Sequence, residues 1–238
     1  MAMPIEGNLR FEGEIDLVPY NSRSGIAAFS RPTTESDDTL EDALDREADV
    51  NPSFQKAWTA ARESKKLPKL VKKYKTTLKK SEIKLIMAYT YEGNPKFYKE
   101  LNEDFRKNAL TGGRFPNAKR ILRNALIELA KFQKKDGEKL PVVLYRWEPS
   151  FLAKKYREQK DKSMHLNMFT STSVENLKDM CSKQNDMLTK FRKPETGAFI
   201  EDFSFYEDEI EVLLPPLHGK IKVIKASKDG SELKGPVL

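Results

Sequence analysis

One cysteine, Cys181, and two histidines, His165 and His218, stand in a chain of 238 residues. A single thiol closes no disulfide within the chain, which fits a reducing compartment. Three scattered nitrogen and sulfur donors offer no zinc-type ligand cluster, so the sequence points to no metal chemistry. No apolar run approaches the eighteen or so residues that span a bilayer, which excludes a transmembrane helix from the reading. The start, "MAMPIEGNLR", has no apolar h-region, so a signal peptide is either unused or already removed. A GxGxxG loop is missing, and with it a Rossmann mode of dinucleotide binding. Internal repeats and low-complexity tracts are absent too.

What is present suits one sizeable domain: 38% of residues are hydrophobic and 10% aromatic, enough for a real core. The net charge of +7 is unevenly spread. Residues 35–49, "ESDDTLEDALDREAD", hold eight acids and one arginine, whereas residues 65–80, "KKLPKLVKKYKTTLKK", hold eight lysines and no acid. The run Lys65–Lys80 would suit an acidic surface, whether nucleic acid, lipid or protein. The simpler reading is a solvated helix face that balances the acidic run. Arginine and aromatic residues do not interleave there as they would in a sequence reader.

Residues 1–50 mix polar, proline and serine content around one apolar piece, "IDLVPY", and read as a loosely packed arm. From about residue 52 the period turns helical. Pro52 opens "PSFQKAWTAARES" at a favoured first position. "SEIKLIMAYTYEG" places Ile83, Ile86 and Met87 on one face. "NPKFYKELNEDFRKN" spaces Phe97, Leu101 and Phe105 by four, and "NAKRILRNALIELAKFQ" carries a stripe of Ala118, Leu122, Ala125, Leu126 and Leu129. Such stripes are core. Past Gly137 the segments "LPVVLYRW", "MHLNMFTSTS", "TGAFIEDFSF", "EIEVLLPP" and "KIKVIKAS" are short, β-branched or aromatic, and bounded by turn residues. "ENLKDMCSKQNDMLTKFRKPE" between them reads as a helix followed by a loop. Helices first and strands afterwards predict an α+β fold.

Three features carried by strands bear chemistry. A strand "VVLY" ends in Arg146, and another ends in Ser171-Thr172-Ser173. "EIEVLLPP" then begins with Glu209 and Glu211, which share a face because they are two apart on a strand. Glu207, Asp208, Glu209 and Glu211 crowd negative charge at the mouth of a greasy strand, an arrangement that costs energy unless cations answer it. A planar cation that grips phosphate, a hydroxyl pair and two carboxylates suit glycosidic cleavage in an anionic substrate. Repulsion between the carboxylates would raise the pKa of one of them.

In this order the pieces resemble the R-S-E class of mono-ADP-ribosyltransferases. "LYR" matches that family's aromatic-Arg strand, "FTSTS" its F-x-S-T-S strand and "EIEVLLPP" its E-x-E strand. "SEIKLIMAYTYEGNPKFYKELNEDFRKN" looks like its helical lead-in, a Tyr-Thr helix before a Tyr/Asn helix. The likeness covers about residues 80–226.

It implies a helical lead-in (51–136), then a mostly antiparallel β-core of two packed sheets (137–238), in one domain of residues 51–238. NAD would be the substrate, with no metal, and a monomer is expected. Arg146 would bind the NAD phosphate and ribose. Ser171 would hold the catalytic glutamate, with Thr172 and Ser173 supporting the strand. Glu211 would bond the ribose 2′-hydroxyl and stabilise the oxocarbenium, and Glu209 would engage the acceptor. Phe205 or Tyr206 would contact the target. Phe191 and Arg192, placed in the loop after the expected helix, would stack on nicotinamide and touch phosphate.

A guanidinium acceptor is protonated and a poor nucleophile, so it needs a second carboxylate to orient it. Glu209, where relatives that modify asparagine carry Gln, therefore implies a target protein with an accessible arginine. One departure stands out: the family arginine is often followed by a small residue whose backbone meets nicotinamide, and here Trp147 follows it. An NAD glycohydrolase that uses water, and a basic RNA- or lipid-binding module with an inactive NAD site, are the alternatives. Without paired cysteines, a bacterial toxin or injected effector acting in a host cytosol fits better than a vertebrate ectoenzyme. A phage enzyme is the other origin considered.

Overall fold

The computed structural model describes residues 10–17, 35–108, 112–149, 163–166, 168–175, 186–192, 197–206 and 210–227. Helices make up its first half: α1 (Asp37–Asp49), α2 (Pro52–Glu63), α3 (Leu67–Tyr74), α4 (Lys80–Thr90), α5 (Phe97–Asn108) and α6 (Pro116–Lys135). Local chemistry starts several of them. The Ser36 hydroxyl accepts the Thr39 N–H at 3.1 Å in front of α1, satisfying a donor that the first turn leaves open. Pro52 and Pro116 open α2 and α6, where a missing N–H costs nothing.

Helix α4 lies at the centre, packed against α1, α2, α3, α5 and α6. Ser81 to Tyr89 are therefore all buried, and not only the stripe of Ile83, Ile86 and Met87. Lys84 is carried inside at 2% exposure, where it pairs with Glu41 and stands 5.1 Å over the Trp58 ring. Partners of this kind offset the cost of drying an ammonium. Beside it Phe54 stacks on Phe97 at 4.4 Å between centroids, and Phe115 meets both rings edge-on.

The strands, one before the helices and seven after them, form a ladder of eight in the order β3-β8-β1-β5-β2-β4-β7-β6. They are β1 (Arg10–Leu17), β2 (Val143–Pro149), β3 (Ser163–Leu166), β4 (Thr170–Ser173), β5 (Asp186–Arg192), β6 (Ala198–Phe199), β7 (Glu211–Leu214) and β8 (Leu217–Ser227). All pairings are antiparallel except β1 with β5. The described strands join in this one ladder and not in two separate sheets, because β1 bridges β8 and β5 by hydrogen bonds on both its edges.

Three further differences from the sequence reading have physical causes. Residues 37–49, expected in a loose arm, form α1, whose Leu40, Leu44 and Ala48 sit in the core; its acids had hidden an apolar stripe. "MHLNMFTSTS" is two strands, β3 at one edge beside β8 and β4 between β2 and β7. Residues 186–192, expected as loop, are β5, paired along its length with β2.

Three lysines of the basic run are tied to other parts of the fold. Lys66 Nζ donates to the Ser204 carbonyl at 3.0 Å, Lys73 pairs with Asp202 at 2.6 Å, and Lys79 Nζ meets the Glu35 carbonyl. Lys65, Lys69, Lys72, Lys75 and Lys80 stay exposed. No described helix is long and apolar enough to cross a membrane.

Candidate active site

Strand β4 connects the parts of the site. Antiparallel pairing with β7 sets Ser173 opposite Glu211, Thr172 opposite Val212 and Ser171 opposite Leu213. Ser171, Ser173 and Glu211 therefore share one face of the sheet. On β4's other side Tyr145 of β2 lies opposite Ser173. Arg146 Nη1 donates to the Ser171 carbonyl at 2.9 Å, fastening the middle of β2 to β4. Thr172 is buried, and its hydroxyl donates to the Val212 carbonyl at 2.7 Å, a side-chain clamp added to the ladder. Arg146, Ser171, Ser173 and Glu211 are each half-buried, open to a ligand yet held by the sheet.

The helices close over this face. Tyr89, from the last turn of α4, is 3% exposed, and its hydroxyl donates to the Phe169 carbonyl at 3.4 Å. Burial, and then the negative charge of Glu211, push the Tyr89 phenol well above its usual range. Tyr98 on α5 is also raised, by burial first, with Arg146 pulling it down and Glu211 pushing it up. Asn102, one turn after Tyr98, donates to the Tyr89 hydroxyl at 3.1 Å and grips Phe169, the residue that leads into β4. Tyr89, Tyr98 and Asn102 thus surround the cluster, although the sequence reading assigned them no role. Their signal was present: Tyr98 and Asn102 are four apart, hence on one helix face.

The segment before Glu211 is tethered to the helices. The Thr90 hydroxyl donates to the Phe203 carbonyl at 3.2 Å, and Asp202 accepts from Tyr74 Oη and Lys73 Nζ, both at 2.6 Å. Phe205 packs edge-on against Tyr91 at 5.4 Å, while Tyr206 is 45% exposed. Glu207 and Glu209 lie outside the described residues, as do the side chains of Trp147 and its neighbours Glu148 and Pro149. Phe191 and Arg192 stand on β5, opposite Leu144 and Val143 of β2. With Phe191 at 1% exposure, its ring is packing in the sheet and not a loop-borne stacking platform. Among the described residues no group of three or more His, Cys, Asp or Glu side chains could hold a metal.

Arg146 is thus bonded to β4, Ser171 and Glu211 share a sheet face, and Tyr89 and Asn102 of the helices bond Phe169, the residue that leads into β4. The profile of the NAD:arginine ADP-ribosyltransferases matches residues 28–234. The chain belongs to that family, whose members act on NAD. Its fold is also that of solved ADP-ribosyltransferases. The eukaryotic mono-ADP-ribosyltransferase ART2.2, solved as a variant with NAD, is 15% identical, with 93% of this chain and 98% of that one covered and a TM-score of 0.52. Plx2a, an ADP-ribosyltransferase toxin from Paenibacillus larvae, is 19% identical over 73% of this chain and 94% of its own, with a TM-score of 0.46. HopU1 of Pseudomonas syringae pv. tomato, also an ADP-ribosyltransferase, is 17% identical over 77% and 78%, at 0.45. No curated protein matches the sequence.

Proposed function

We propose that this ADP-ribosyltransferase modifies arginine on a target protein, and that it does so as a bacterial toxin or effector in a host cytosol. The observation that carries the reading is the meeting of Arg146, Ser171 and Glu211 on β2, β4 and β7, with Glu209 two residues before Glu211. Arg146 holds the dinucleotide through its phosphate, as a planar fork. Ser171 orients Glu211. Glu211 bonds the ribose and stabilises the positive charge that develops at C1′ as the bond to nicotinamide breaks and its electron pair leaves with the ring. Glu209 orients the acceptor guanidinium, whose nitrogen bonds C1′ and gives up a proton. Tyr206, exposed beside the site, contacts the target. A lone thiol suits a reducing cytosol.

The test measures nicotinamide release and agmatine labelling on one preparation. Water accepts the ribosyl group without help from Glu209, whereas a guanidinium needs it. Glu209→Gln should therefore lose at least about tenfold in labelling and keep NAD hydrolysis within about threefold. Equal loss of both activities would contradict this division of labour. A parent protein that hydrolyses NAD but never labels agmatine would leave the glycohydrolase in its place.

A further inference from the structure

The two charged runs do not neutralise each other in the fold. Five acids of residues 35–49 are answered from outside residues 65–80: Glu41 and Asp45 by Arg62, Glu35 by Arg120, Asp37 by the Ser81 N–H and Glu47 by the Ala118 N–H. Lys65, Lys69, Lys72, Lys75 and Lys80 stay exposed, with no salt bridge among the described residues. On α3, Lys69 and Lys72 lie one turn apart on the face opposite buried Leu67, Leu70 and Tyr74. Printed bonds set this helix against the segment that leads to Glu211. Lys66 Nζ donates to the Ser204 carbonyl and the Tyr206 N–H to the Ser204 hydroxyl, both at 3.0 Å. The Lys73–Asp202 pair and the stacking of Tyr74 on Phe203 at 5.0 Å fasten α3 to the residues just before. Exposed Tyr206 and the lysines therefore border one surface. Glu63 and Glu201 are exposed at its margin and leave the lysines in excess.

We propose that the lysine face of α3 and of the turn after it docks an acidic segment of the protein acceptor, with Tyr206 at its inner edge. The inference rests on the arginine-transfer reading. An isolated arginine is repelled by a chain of net charge +7, and acidic neighbours reverse the sign of that encounter. Nucleic acid fits the face less well. Residues 65–80 hold no arginine to fork onto phosphates or bases, and Tyr74, their one aromatic residue, is buried at 2% exposure and offers no ring for stacking. A membrane fits less well too. A helix that lies on a bilayer lays apolar side chains into it, and here Leu67 and Leu70 are packed in the core. Lysines are mobile, hydrated point charges, so they supply attraction and orientation to carboxylates without demanding one fixed geometry.

The test labels two peptides from NAD: one arginine between two runs of six glutamates, and the same peptide with glutamines. Each run spans about 20 Å when extended. At about 20 mM salt the parent should favour the glutamate peptide at least about tenfold in kcat/KM, mainly through KM. At about 0.5 M salt the preference should shrink below about threefold, because exposed charges are screened. Lys69→Glu, Lys72→Glu and Lys75→Glu together should abolish the preference, while agmatine labelling and nicotinamide release stay within about twofold of the parent. Should that variant fail to fold, Lys→Gln at the same three positions should cut the preference at least about threefold. A parent without preference, or a preference that the substitutions leave intact, would overturn the proposal. Binding to phosphatidylserine vesicles or to single-stranded RNA that the substitutions abolish, with no peptide preference, would overturn it in favour of a membrane or a nucleic acid. A parent that hydrolyses NAD but labels neither agmatine nor peptide would instead remove the arginine reading, and this inference with it.

Discussion

Glu211 sits directly across from Ser173 and two residues along the same face from Leu213, so its carboxylate is placed by backbone pairing. Glu211→Gln keeps that shape and deletes the charge. If Glu211 acts at the transition state, kcat should fall by about two orders of magnitude with NAD affinity little changed. Stopped nicotinamide-release assays and calorimetric NAD binding would separate the two. The neighbouring aromatics divide differently from the way the sequence offered them, as alternatives for one task. Tyr206→Ala is expected to reduce labelling of a protein target while hydrolysis of NAD by water stays within about twofold. Phe205→Ala, which removes a ring packed on Tyr91, should instead lower the melting temperature. Arg146, Ser171 and Glu211 could be singled out because each is a chemically demanding residue on a short β-rich segment. Phe191 and Arg192 were misplaced because "MLTKFRKPE" is polar enough to read as loop when its strand partners lie far off in sequence.

Helix α5 bears Tyr98 and Asn102, so whatever fixes α5 also fixes the bonds of Asn102 to Phe169 at the entry to β4. Its anchor is Asp104, which accepts the Arg114 N–H at 3.0 Å and the Lys119 ammonium at 2.9 Å. Lys119 is fully buried and also donates to the Gly112 carbonyl at 2.7 Å. Gly113 makes the turn possible: its φ is +76°, and a Cβ there would come within 2.2 Å of the Asp104 carboxylate. Removing one partner of so buried a pair costs about 3–5 kcal/mol, so Asp104→Ala should lower the urea midpoint accordingly.

Burial pushes the Asp104 carboxyl up, but Lys119 and the Arg114 N–H outweigh it and hold the group below its ordinary value. A depressed carboxylate contributes stability that is present above its unfolded pKa and lost as pH falls through the folded one. The parent should therefore lose stability below about pH 4 more steeply than Asp104→Ala, as read by denaturant titration at each pH. Helices of this kind were legible from their stripes. The full burial of α4 was not, since Lys84 in an apolar stripe suggests a wet side until Glu41 and Trp58 are seen around it.

Across the molecule, the helices were readable because each carries its own apolar stripe, whichever helix it packs against. The order of the strands was not. "RFEGEIDL" reads as an arm because nothing near it in sequence could pair with it, yet β1 runs between β5 and β8. Phe11 is registered with Met187 on one side and Ala226 on the other. The first strand to be made thus has no partner until the last third of the chain exists. On the ribosome the helices can assemble as they emerge, but the ladder cannot close across its middle until synthesis is almost over. Stalled nascent chains ending near residue 150 should already protect α1–α6 from protease and leave residues 10–17 open to cleavage. Release of the complete chain should protect those residues in one late step, and early protection of them would show that β1 finds a different partner first.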